Sequence, residues 1–139
     1  AEAEAGLNEV LPGMRTVTLP SEPEDIGRAI DELLAGRRTT ALVVMWPLQA
    51  LSVLGHLARR GLRLPEDLSL MVLDDNPVLR HILPHPARYR RDADRFSVLL
   101  RRALDGVLEG GRAPRRALRL MSELEPGSTT GPAPARGSR

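Results

Sequence analysis

Short apolar runs and longer amphipathic stretches alternate along this chain. Residues 14–19 (MRTVTL) have the look of a short strand, with Val17 and Leu19 on one face. Ser21 and Glu24 stand at capping-box spacing. Ile26, Ala29, Ile30, Leu33 and Leu34 then recur at helical period as far as a stop at Gly36. Residues 41–46 (ALVVMW) form a continuous apolar run, the pattern of a strand buried on both faces. Pro47 suits a first helical turn, and Leu48, Leu51, Leu54, Leu57 and Ala58 carry one helix side to Gly61. Residues 68–73 (LSLMVL) repeat the buried-strand pattern and end on Asp74 and Asp75. A short apolar helix over 77–83 is broken by Pro84 and Pro86. Asp92 caps a longer helix to Glu109, with Phe96, Leu99, Leu100, Ala103, Leu104, Val107 and Leu108 on its apolar face. Residues 116–121 predict a last strand, and from Pro126 the composition is that of a disordered tail.

Strand, helix, strand, helix, strand predicts an α/β fold: a parallel sheet with helices on both faces and right-handed crossovers. The predicted organisation is a flexible lead-in over 1–10, one lobe over 11–125 that includes the helix 92–109, and the tail 126–139. Ligands of open parallel sheets bind at the carboxyl ends of the strands. Trp46-Pro47 and Asp74-Asp75 both fall at that edge.

Composition narrows the class. With 139 residues and one Trp, one Tyr and one Phe, the chain can build one core, made of aliphatic side chains. No apolar run is long enough to span a bilayer, and no secretory signal is visible. Zero cysteines exclude disulfides and thiolate metal sites. The chain begins at Ala1, so we read it as a fragment or processed product whose upstream sequence could hold a DNA-binding domain or a signal peptide. All 20 basic residues are arginine, but 18 acidic ones nearly balance them. That balance, with an Arg-only composition rich in Ala, Pro and Leu, fits a GC-rich genome better than a nucleic-acid surface.

The candidate chemistry is sparse. Asp74 and Asp75 could serve as an acid/base pair or as magnesium ligands, but adjacent residues at a strand end point apart, and no second carboxylate or Ser-His cluster supports catalysis. An enzyme is not expected. His81 and His85 have a zinc-like spacing that Pro84 and Pro86 break, with no third ligand evident, so neither metal nor cofactor is expected. His56 is expected mid-helix on a surface or interface, in a structural role. Arg101, Arg102, Arg112, Arg115, Arg116 and Arg119 read as a solvated face. Trp46 is either the last buried residue of a strand or a platform for a ligand.

The run Gly61-Leu62-Arg63-Leu64-Pro65-Glu66-Asp67-Leu68-Ser69-Leu70 resembles the "GlrvPeDvsv" segment of lactose-repressor/galactose-repressor transcription regulators, and Asp74-Asp75 follows where that family has "GfDd". Thr40-Ala41-Leu42 resembles "pTAl", Ala50-Leu51 falls on "mAlG", residues 84–92 take the place of "pPLTTvrqd", and Gly127-Ser128-Thr129 resembles the terminal "RgSt". The resemblance runs from about Leu11 to Pro132. It implies the C-terminal lobe of a type I periplasmic-binding-protein-like core that clamps a small, sugar-like effector against a second lobe. It also implies that the helix 92–109 packs on that second lobe, or in an altered dimer.

The resemblance further implies a cytoplasmic homodimer, a repressor, whose operator contacts come from a helix-turn-helix domain not present in these residues. The effector contacts it suggests are Asp74, Trp46, Pro20 and Asp92, with helix capping as the alternative role for Asp74. The dimer contacts are Leu48, Leu51, Leu54, Gly55, Val78 and Ile82, with ordinary core as their alternative. The sequence departs from the family at three places. Trp46-Pro47 replaces Asn-Asp, Val72-Leu73 precedes the two aspartates without a glycine, and Pro86-Ala87-Arg88 replaces "LTT". The polar lining is therefore thinner, and a stacking surface stands where an amide would. A periplasmic sugar-binding protein of an uptake system is the second reading.

Overall fold

The computed structural model describes residues 5–6, 9–35, 39–110 and 119–133. Its elements are α1 (Pro23–Leu34), β1 (Ala41–Val44), α2 (Pro47–Arg59), β2 (Ser69–Val72), a 3-10 helix (Pro77–His81), β3 (Ala87–Arg90), α3 (Ala93–Gly110) and β4 (Glu123–Glu125). They form a four-stranded sheet in the order β1-β2-β3-β4. β1, β2 and β3 run parallel, while β4 pairs with β3 antiparallel. The α/β fold with a mostly parallel sheet is the one the sequence predicts, and the antiparallel β4 makes the sheet mixed.

The core is aliphatic, as the composition requires. Ile26 and Ile30 of α1, Ala50, Val53 and Leu57 of α2, Leu42 and Val44 of β1, and Leu70 and Val72 of β2 are buried together. The two helices also pack on each other. His56 of α2 reaches α1, where its Nε2 meets Asp31 Oδ1 at 2.8 Å, and Arg60 Nε approaches the same oxygen at 3.3 Å. Of the surface or interface expected for His56, the structure has an interface: its side chain is 11% exposed and wedged between the two helices. Gly27 makes room for it, because a Cβ there would stand 2.7 Å from His56 Nδ1.

Several expectations fail for identifiable reasons. Ser21 does not cap α1; the cap position is Glu22, without a side-chain bond, and Pro23 starts the helix. Residues 14–20 contain no strand. β1 is not buried on both faces: Leu42 and Val44 are buried, but Ala41 and Val43 are exposed. Among the described residues β2 is the one strand paired with β1, so β1 is an edge and its apolar run has cover on one side only. The paired inner strand β2 does show burial on both faces.

The last strand lies at 123–125 and not at 116–121, of which 116–118 fall outside the described residues. Charge sets this register. Arg88 and Arg90 on β3 pair with Glu125 and Glu123 on β4, at 2.7 and 3.1 Å. β3 itself was missed by hydrophobic pattern, since ARYR offers almost none.

The tail expectation is corrected over its described part. Thr129 is fully buried, and Gly131 N–H donates to Ser69 Oγ. The chain turns inward at Gly127, whose φ is +57° and whose missing Cβ would lie 2.5 Å from the His85 carbonyl. Residues 134–139 lie outside the described part. Of the lead-in, residues 5, 6, 9 and 10 have helical backbone and are exposed.

Candidate functional site

The carboxyl ends of β1, β2 and β3 make one edge. Val44 and Val72 are in register, and Leu73 N–H donates to the Val44 carbonyl at 2.9 Å. Trp46 and Asp74, each two residues further on, therefore leave adjacent strands at the same end. Just past β3, Arg91 reaches Asp74: its Nη2 donates to Asp74 Oδ1 at 2.6 Å.

Both alternative readings of these residues lose ground. Trp46 is not a buried strand end; it is 59% exposed, at the N-terminal cap position of α2 with no side-chain capping bond. Asp74 does not cap the helix that follows. Asn76 does, its Oδ1 accepting the Val78 N–H at 3.0 Å. Asp74 Oδ1 instead accepts the N–H of Asp75 at 2.8 Å and the Arg91 guanidinium.

Asp92 is spent locally. Its Oδ1 accepts the Arg95 N–H at 2.9 Å, so it starts α3 as the sequence predicts. Pro20 is tied to the first turn of α2, where Gln49 Nε2 donates to its carbonyl at 3.4 Å. That bond brings the segment before α1 to the helix that Trp46 begins.

Sequence reasoning missed the charged pair behind this edge. Arg88 is buried, its side chain 4% exposed, and donates to Asp75 Oδ1 at 3.2 Å and Glu125 Oε1 at 2.7 Å. Asp75 is therefore committed inside the fold, and Asp74 is the carboxylate that faces outward. The available signal was the arginine at the second threonine position of the family pattern, which needs a counter-charge if buried.

The described structure has a depression of about 490 Å³ at the opposite end, lined by residues such as Thr39, Leu62 and Leu68. A second, of about 680 Å³, runs along β3 and β4 beside Arg88, Arg90 and Glu125. Neither contains Trp46 or Asp74. Among the described residues no group of three or more His, Asp or Glu could hold a metal ion.

The predicted dimer residues divide. Leu48 is 69% exposed, and Gly55 is exposed with open space where a Cβ would stand. Leu51 is half-buried, while Leu54, Val78 and Ile82 pack partly on the core. On α3 no described residue is buried, and Phe96, Leu100, Leu104, Val107 and Leu108 are all more than 40% exposed. No described helix is long and apolar enough to cross a membrane.

The described lobe is α/β, with Trp46 exposed and Asp74 at the carboxyl edge of its parallel strands, where open α/β sheets place ligands. The description of the periplasmic binding protein-like domain matches residues 2–130, and the chain belongs to that family. No curated protein matches the chain.

Among solved structures it resembles a LacI family transcriptional regulator from Bifidobacterium animalis subsp. lactis, at 24% identity and a TM-score of 0.79 over 94% of this chain and 49% of that one. A LacI family regulator from an Arthrobacter species, in complex with lactose, matches at 23% identity and 0.76, covering 94% and 50%. One from Enterococcus faecium with bound ribose matches at 18% and 0.71, covering 96% and 50%. The chain thus spans about half the length of these relatives.

Proposed function

We propose that this chain is the C-terminal effector-binding lobe of a ligand-gated transcription regulator, and that it reads a small sugar-like molecule. The observation that carries the reading is the edge itself. Trp46 stands exposed beside Asp74 at the carboxyl ends of two parallel strands, in a fold shared with regulators, two of which hold lactose and ribose. The apolar face of a sugar ring would stack on the indole, and its hydroxyls would donate to the free oxygen of Asp74.

Closure of a second lobe over this edge would change the geometry of a homodimer joined through Leu48, Leu51 and Gly55, with Leu54, Val78 and Ile82 at its margin. That change would alter the operator affinity of a helix-turn-helix domain outside these residues, in a cytoplasmic protein. Regulation, not catalysis, is the reading that resemblance to regulators supports. The same resemblance favours it over a periplasmic uptake receptor.

The test uses the full-length protein and DNA from upstream of its own coding region. A gel-shift that a mono- or disaccharide releases or strengthens is the expected result. A protein that ignores this DNA yet binds sugar tightly would overturn the regulator reading and favour the uptake receptor.

A further inference from the structure

The edge that carries Asp74 also carries a cation. Arg91 is 61% exposed, and its bond to Asp74 Oδ1 is the one polar contact its side chain makes among the described residues. The arginines before it on β3 are committed elsewhere: Arg88 to Asp75 and Glu125, Arg90 to Glu123. Arg91 is therefore the guanidinium available at the carboxyl edge, held there by the carboxylate assigned to the effector.

Its fork geometry matters. A guanidinium has five N–H donors in a plane and accepts nothing, so it recognises carboxylates and phosphates two bonds at a time. Its bond to Asp74 uses Nη2 and leaves other donors facing solvent. Exposed ion pairs of this kind are weak and readily exchange one partner for another. Arg91 offsets the charge of Asp74, whereas Arg88 is shared between Asp75 and Glu125, so at this edge it is Arg91 that offers an anion a partner. Sugar hydroxyls can accept from the spare donors of Arg91 one at a time, but only a carboxylate or phosphate offers paired, charged oxygens that match the fork.

Resting on the effector-binding reading above, the geometry points to an anionic polyol as the effector, a sugar acid or a sugar phosphate. Arg91 takes the anionic group in a bidentate grip, the second oxygen of Asp74 accepts from a hydroxyl, and the ring lies on Trp46. Arg91 then decides specificity between charged and neutral sugars.

Calorimetry on the full-length protein tests this with glucose and galactose, their uronates and their 6-phosphates. At least one anion should bind tenfold or more tighter than its parent sugar, and which one separates carboxylate from phosphate. Arg91→Gln should abolish that preference. Arg91→Lys, which keeps the charge and loses the fork, should retain only part of it. Parent sugars binding as tightly as their anions, or an anion preference that survives Arg91→Gln, would overturn the inference. So would failure of every probe. Release of operator DNA by a neutral sugar would then leave the regulator reading standing without it.

Discussion

Thr129 and Leu70 exchange hydrogen bonds: Leu70 N–H donates to the Thr129 carbonyl at 2.8 Å, and the Thr129 hydroxyl donates to the Leu70 carbonyl at 2.6 Å. The same hydroxyl accepts the Ala87 N–H at 2.9 Å. Thr129 thus bridges β2 to the first residue of β3 and anchors the segment after β4 to the inner strand. Thr129→Val keeps the shape and removes the hydroxyl. It leaves buried main-chain groups of Leu70 and Ala87 without a partner, so unfolding in denaturant should show a loss of about 1–3 kcal/mol. A change near zero would show that water replaces the hydroxyl.

Gly27 is set by His56. A Cβ 2.7 Å from Nδ1 forces the imidazole, and with it the contact of α1 and α2, to shift. Overpacking of this kind costs about 1–3 kcal/mol, against the gain in helix propensity. Gly27→Ala should therefore lower stability, and adding His56→Ala should remove most of that added cost. A double-mutant cycle reads the coupling, and additive effects would mean that the two residues do not meet.

Asp31 holds the other side of that contact. The hydrogen bond from His56, with the positive charge of Arg60 assisting, holds its carboxyl below the ordinary 3.8 despite an opposing effect of burial. A carboxylate depressed on folding stabilises the native state above its unfolded value, and this is lost as pH falls through the folded value. Stability should therefore drop as pH falls below 3.8, and Asp31→Asn should flatten that limb of the profile. Parallel profiles for the two proteins would exclude Asp31 as the source.

Arg88 predicts an asymmetry. Its guanidinium is buried, Asp75 is 14% exposed, and Glu125 is 44% exposed. Arg88→Met strands Asp75 in a low-dielectric setting, which costs about 3–5 kcal/mol for a buried partner. Glu125→Gln, at the wet end of the same bond, should cost no more than about 1 kcal/mol. Thermal denaturation of the two variants separates these cases.

These contacts explain which parts of the molecule were legible in its sequence. α2, α3 and β2 follow from apolar periodicity, because each has a buried or amphipathic pattern of its own. β3 and β4 do not, since ARYR and ELE become strands through Arg–Glu pairs between segments more than 30 residues apart. The buried turn at Thr129 hides in a run rich in glycine and serine, where one hydroxyl replaces an apolar anchor. At the edge, the family resemblance pointed to Trp46 and Asp74, while the Arg91–Asp74 bond depends on a cross-strand distance that no sequence pattern carries.

Gly55 offers the sharpest test of the assembly. Inside a helix, glycine costs roughly 1 kcal/mol relative to a good helix former. Here a Cβ would meet nothing within 4 Å, so the fold of the lobe does not require the glycine. Arginine at this position should stabilise an isolated lobe slightly, since it adds helix propensity and its side chain extends into solvent. If Leu48, Leu51 and Gly55 instead meet their counterparts in a second copy, the same arginine places a charge in a two-fold contact and repels its own image. Gly55→Arg should then convert a dimer to a monomer in analytical ultracentrifugation while circular dichroism stays native. A dimer of unchanged affinity, with a slightly raised melting temperature, would move the interface elsewhere. The exposed apolar face of α3, with Phe96 and Leu104, would be the next surface to probe.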